Sequence, residues 1–136
     1  MIESVIIQEI DKIQIPTVVT ITVSPSSKAF LKNRRNSSTS VDIDFGPPRT
    51  RIIDDLEYSY LDFWLNGKEN IIQHVNYRLQ GELQGKGYGR KLVEAMENAG
   101  RRLGFESIRI DVSTNDSFWE HMGYSMKGEY LEKRIN

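Results

Sequence analysis

The chain contains no cysteine. That absence excludes a disulfide framework, a thiolate-ligated metal and a cysteine nucleophile together, and no metal site is predicted. Long hydrophobic runs are missing too. Residues 1–15 place Glu3, Glu9, Asp11 and Lys12 among their apolar positions, and no stretch approaches the roughly 20 apolar residues of a membrane-spanning helix. The same charges argue against a secretory leader, so the sequence predicts an intracellular, cytoplasmic protein with no membrane partner. An excess of one charge is also lacking. Lys and Arg total 18 against 19 Asp and Glu, and a net charge of −1 gives no pointer to a nucleic-acid or polyanion partner. With 136 residues and no break in composition, one domain with one core is expected.

What is present begins with strand-like sequence. Residues 2–10 and 16–23 are short and β-branched, and both read as strands. Composition then turns to Ser, Asn, Lys and Arg. Ser26 or Ser27 can cap a short helix through Ala29, Phe30 and Leu31, and the basic run Lys28, Lys32, Arg34 and Arg35 reads as a solvated face. Residues 41–45 alternate apolar and acidic side chains like an exposed strand, ended by Gly46-Pro47-Pro48. Residues 58–65 and 71–79, joined through Asn66-Gly67, read as an antiparallel hairpin. In its first strand Leu61, Phe63 and Leu65 share one face, leaving Tyr58, Tyr60, Asp62 and Trp64 on the other.

The stretch from Leu79 to Arg90, with glycines at 81, 85, 87 and 89, joins that hairpin to the best helix pattern in the chain: Leu92, Met96, Ala99 and Leu103 on one face. Glu94, Asn98, Glu97 and Arg101 fall outside this apolar stripe, and Gly104 is a good terminator. A glycine-rich strand-to-helix junction is a phosphate cradle, because the first helical amides lack partners and the dipole there is positive. A P-loop is excluded, since Gly81 to Gly85 is one residue short and Gly87 follows Lys86 in place of a hydroxyl residue. A dinucleotide fingerprint is excluded because Leu92 stands where its third glycine belongs. Residues 105–112 form the next strand pattern, and the strand–helix–strand order predicts a right-handed crossover with parallel strands and the loop at their carboxyl ends. A short helix over 115–121 and a last strand over 124–133 complete the chain.

The spacing Gln84-x-x-Gly87-x-Gly89 resembles the acyl-CoA pyrophosphate loop of the GCN5-related N-acetyltransferase (GNAT) family, written [RQ]-x-x-G-x-[GA]. Further on, Phe118-Trp119-Glu120-His121-Met122-Gly123-Tyr124 is similar to the family's F-Y-E-K-x-G-F segment. Two motifs in order, linked by a helix and a strand, are far more specific than either alone. The resemblance spans residues 71–133; residues 1–57 do not show the pair of amphipathic helices usual in the family. It implies an α/β fold: a mixed, mostly antiparallel twisted sheet with a central parallel strand pair joined by a helix. It further implies a single domain over 1–136, with 1–57 as a divergent acceptor side and 58–136 as the CoA-binding part.

The implied activity is transfer of an acetyl or other acyl group from acetyl-CoA, as cosubstrate, to the amine of a small molecule or a protein. Homodimers are common in the family. Attack is direct, with no covalent enzyme intermediate, and so needs no cysteine. The resemblance places a backbone donor to the thioester carbonyl at Leu79, and the CoA contacts at Leu79, Gln84, Gly85, Lys86, Gly87, Tyr88, Gly89 and Arg90. Asn115 and Trp119 are the candidates against the pantetheine arm. The glutamate that serves as base in histone-type members aligns with Gln73, so His74 and Asp62 are the remaining proton acceptors. The family's tyrosine acid aligns with Trp119, which leaves Tyr124 or Ser117. Two other readings stay open: a CoA-binding domain of this fold with weak or no catalysis, and an interaction module on the same scaffold.

Overall fold

A computed structural model describes residues 1–46, 58–111 and 116–136. Among these residues seven strands form one sheet in the order β1-β2-β3-β4-β5-β7-β6. They are β1 (Val19–Ser24), β2 (Ser38–Phe45), β3 (Ser59–Asn66), β4 (Ile71–Arg78), β5 (Ser107–Asp111), β6 (Ser125–Lys127) and β7 (Tyr130–Arg134). Every neighbouring pair is antiparallel except β4 and β5, the parallel pair joined by the long helix α3 (Tyr88–Arg102). The fold is thus the mixed α/β sheet that the sequence predicts.

The first strand expected, over 2–10, is instead a helix, α1 (Ile2–Asp11). Its β-branched residues favour a strand locally, but Ile2, Ile6, Glu9 and Ile10 recur at helical spacing and all four are buried. Ile2, Ile6 and Ile10 join Ile43, Leu61, Phe63, Leu92, Met96 and Ala99 in the core, and burial of that face outweighs propensity. Glu9, although only 3% exposed, is satisfied by Arg102 at 2.8 Å and Lys12 at 3.0 Å, tying α1 to α3.

Ser26 caps α2 (Ser27–Lys32), its hydroxyl accepting from the Ala29 amide at 3.0 Å. Arg34, read in sequence as part of a solvated basic face, is structural. Its guanidinium stacks 4.3 Å from the Phe105 ring, donates to the Leu103 carbonyl and reaches Asn70 Oδ1 at 2.9 Å. These partners lie at the carboxyl end of α3 and in the β3–β4 turn, so this basic residue sits at the end of the sheet away from the glycine-rich loop.

Two further expectations change. Residues 41–45 are not an exposed strand: β2 lies between β1 and β3, with Val41, Ile43, Asp44 and Phe45 all buried. The last strand is a hairpin of β6 and β7, because Gly128 at φ +71 turns the chain back.

Candidate active site

Among the described residues β4 and β5 pair over two positions only, Ile71 with Ser107 and Ile72 with Ile108. Beyond them the strands separate. In the β3–β4 ladder Asp62 pairs with Asn76 but Trp64 pairs with Gln73, so Phe63 opposes two residues, His74 and Val75. This β-bulge carries His74 at φ +54 and bends β4, which opens a fork towards the carboxyl ends of the parallel strands.

The glycine-rich loop lies at the mouth of that fork. After a short 3-10 turn (Gly81–Leu83), Gln84 folds back so that its Nε2 donates to the Leu79 carbonyl at 2.8 Å, closing the loop onto the end of β4. Gly87 stands at the N-cap of α3 with φ +78, and among the described residues no side chain caps this helix. The first bond along α3 is from the Lys91 amide to the Gly87 carbonyl at 3.4 Å, so the amides of Tyr88, Gly89 and Arg90 precede it. A β-carbon at Gly85 or Gly87 would meet nothing within 4 Å, whereas one at Gly89 would come within 3.3 Å of the Tyr77 hydroxyl. The backbone is therefore open to a ligand on one side and packed against β4 on the other. Uncapped amides, glycine surfaces and the positive helix end fit a pyrophosphate. Lys86 and Arg90 are exposed beside it.

An aromatic wall continues from the loop. Tyr77 on β4 lies 5.8 Å from Phe118 and 6.2 Å from Trp119 of α4 (Asp116–His121), and Trp119 lies 5.1 Å from Tyr124. Trp119 is 4% exposed and makes edge contacts on each side, so its ring is wall material. Burial pushes the Tyr77 hydroxyl above its ordinary pKa. Sequence reasoning passed over Tyr77, whose strand position next to the loop was the available signal.

Tyr124 stands behind this wall, 2% exposed. Its hydroxyl donates to Glu97 Oε2 at 2.9 Å, and burial together with the Glu97 charge drives its pKa far above the tyrosine range. Glu97 is itself buried, contrary to its expected place outside the apolar stripe, because Lys133 completes its coordination at 3.1 Å.

The other predicted residues are dispersed. His74 is exposed and its Nδ1 lies 3.8 Å from Asp111 Oδ2, a partner the sequence did not suggest. Asp62 lies on the neighbouring strand, level with Asn76, and is engaged in an interaction of its own. Leu79 sits half-buried at the end of β4. Ser117 is exposed in the first turn of α4, while Asn115 falls outside the described residues. On the far side of Leu79 a cleft of about 530 Å³ lies between the β1, β2 and β3 ends and residues 80–83. Pro16, Phe45 and Leu83 give it apolar walls. Tyr58, which lines it and is 5% exposed, has a buried hydroxyl with no hydrogen-bond partner among the described residues.

The fold that surrounds this forked parallel pair and uncapped helix end is shared by solved structures. Tetrahymena GCN5 matches with a TM-score of 0.52 at 10% identity, over 71% of this chain and 69% of that one. A Klebsiella pneumoniae protein with inferred acyl-CoA N-acyltransferase activity gives 0.56 at 13% identity, over 88% and 98%. The spermidine/spermine N-acetyltransferase SpeG of Vibrio cholerae gives 0.53 at 11% identity, over 86% and 92%. At these identities the likeness is one of fold. No curated protein sequence matches the chain. The acetyltransferase (GNAT) family model matches residues 52–124, more than half of the sequence, and the chain belongs to that family.

Proposed function

We propose that this protein transfers an acyl group, acetyl in the first instance, from acyl-CoA to an amine acceptor. The observation that carries the reading is the uncapped amino end of α3 set at the mouth of the β4–β5 fork, beside the Gly85 and Gly87 surfaces. Backbone amides of residues 85–90 would hold the pyrophosphate, and Lys86 and Arg90 would steer it. Gln84 holds the loop in shape through Leu79. The pantetheine arm would enter the fork along Tyr77 and the Phe118–Trp119 wall, with a backbone donor near Leu79 polarising the thioester carbonyl. The cleft beyond Leu79 would admit the acceptor, and its walls come from Pro16, Thr17, Phe45 and Gly46 together with Tyr58, Ser59 and residues 80–83, so within one domain the acceptor side would draw on both the 1–57 and the 58–136 parts. Small-molecule and protein amines both remain within this reading, as do a cytoplasmic setting and a homodimer. Among the described residues no helix is long and apolar enough to cross a membrane.

A second reading, CoA binding without appreciable catalysis, is favoured by one observation: the family's acid position holds Trp119, buried as packing. Calorimetry with CoA and a CoA-release assay with acetyl-CoA over a panel of amines, spermidine and lysine peptides included, separate the two. CoA binding with amine-dependent thiol release supports transfer. Binding without release on any acceptor supports the second reading, and absence of CoA binding defeats both.

A further inference from the structure

We propose that the outer edge of β1 pairs with β1 of a second copy of this chain, antiparallel and about a two-fold axis at Ile21, so that one sheet runs through both subunits.

Hydrogen-bond direction is the first argument. β1 ends the sheet, with β2 on one side and, among the described residues, no strand on the other. The Gly67 amide donates to the Ser37 carbonyl in the β2–β3 register, so the odd-numbered residues of β2 bond β3 and the even-numbered ones bond β1. The Gly46 amide donates to the Val18 carbonyl, in agreement. Thr20, Thr22 and Ser24 therefore spend their backbone groups on β2, while the N–H and C=O of Val19, Ile21 and Val23 point away from the sheet. Among the described residues those outward groups meet no partner.

Lack of protection is the second. A free edge is ordinarily guarded by a charge, a proline, a bulge or brevity. β1 runs six residues with no charge or proline among them, and its register with β2 is unbroken. The opposite edge, β6, has three residues and carries Lys127. Beside the unguarded edge Val18 is 71% exposed, and Ile13, Ile15, Val19 and Ile21 are only half-buried against the core.

Sequence symmetry selects the occupant. Val19-Thr20-Ile21-Thr22-Val23 reads the same in both directions. Antiparallel self-pairing centred on Ile21 sets Val19 against the partner's Val23, Ile21 against the partner's Ile21 and Thr20 against the partner's Thr22. Outward-pointing residues then meet outward-pointing residues, and each of their N–H and C=O groups finds its complement. The threonines fall at the non-bonded positions, where side chains approach most closely and Thr–Thr contacts are favourable. Such a contact is self-complementary and closes at two copies, whereas an unrelated strand would gain nothing from the palindrome. The arrangement also lays the start of β1, next to the cleft residues Pro16 and Thr17, towards the Ser26-capped start of the partner's α2, so the second copy flanks the cleft.

Sedimentation velocity of the full-length protein tests the stoichiometry, and residue-resolved amide hydrogen exchange tests the surface. A dimer is expected at micromolar concentration, with the Val19, Ile21 and Val23 amides exchanging about as slowly as those of Thr20 and Thr22, which β2 protects in either state. A monomer throughout that range overturns the proposal. So does a dimer whose three outward amides exchange at least about tenfold faster than those of Thr20 and Thr22, since another surface would then hold it. This comparison needs only the wild-type protein. Register is read by cross-linking, as the chain has no cysteine of its own. Thr20→Cys and Thr22→Cys, both at exposed positions, should form a disulfide with each other when mixed, because non-bonded partners lie about 4.5 Å apart at Cα. Neither should cross-link well to itself, since diagonal neighbours are about 7–8 Å apart. Equal cross-linking in the mixed and the separate samples overturns pairing about Ile21.

Discussion

The Tyr124 hydroxyl donates to Glu97 Oε2 at 2.9 Å inside the protein, joining the hairpin segment after α4 to the middle of α3. Lys133 Nζ binds the other Glu97 oxygen at 3.1 Å and the Met122 carbonyl at 2.8 Å. The three side chains clamp α4 and β7 against α3 and so hold the Trp119 face of the aromatic wall in place. A hydroxyl so placed has its proton engaged by a carboxylate.

Tyr124→Phe is therefore expected to lower stability by about 1–3 kcal/mol, the usual consequence of leaving a buried charged group short of a partner. Urea denaturation gives the stability, and turnover of the folded variant should stay near wild type. A tenfold loss of kcat without loss of stability would return this hydroxyl to the chemistry.

Gly87→Val forces a β-branched residue to φ +78 at the α3 N-cap, where the surrounding space is otherwise open. Stability should fall by about 1–3 kcal/mol while CoA affinity falls about tenfold or more, since the cradle amides are displaced. Lys86→Ala and Arg90→Ala should have smaller effects that fade with added salt, as exposed charges are screened. Isothermal titration at low and high ionic strength reads both; unchanged affinity in a folded Gly87→Val protein would remove the pyrophosphate from this loop.

His74→Gly places the preferred residue at the left-handed bulge position. Relief of strain, offset by the unfolded-state entropy of glycine, should leave the protein between neutral and about 1 kcal/mol more stable. Thermal denaturation tests this, and a clear loss of stability would mean that the imidazole is packed structurally.

Glu9 gives the fold a foreseeable acid sensitivity. Burial alone would raise its pKa, but hydrogen bonds and charge from Lys12 and Arg102 outweigh it, and the net shift is downward. A carboxylate depressed in the folded state contributes stability that is present above its unfolded value of about 4.3 and is lost as pH falls through the lower folded value. Glu9→Gln should remove that part of the acid-side dependence. The check is the slope of the denaturation free energy below about pH 4.3, compared between wild type and variant.

Much of the site was legible because its signals are local. Glycines at 85, 87 and 89 between a β-branched run and an amphipathic stripe describe a strand, a turn and a helix start within one window. The hairpin of β3 and β4 was equally visible, since its alternating face and Asn66-Gly67 turn lie next to one another. The parallel pairing of β4 and β5 followed from the length of the crossover between them. Residues 2–10 were misread because β-branched composition and helical spacing coincide in Ile2, Ile6 and Ile10, and the choice depends on α3 and the sheet being there to cover that face.

The sequence by itself thus determined the glycine-rich strand-to-helix junction, the crossover and the family, all set by residues close in the chain. Tertiary structure alone decided that Tyr124 meets Glu97, that His74 meets Asp111, and that β4 parts from β5 at a bulge in front of the loop. Those relationships join residues far apart in sequence, and their energies arise from burial and from pairing of charge, which exist only once the chain has closed on itself.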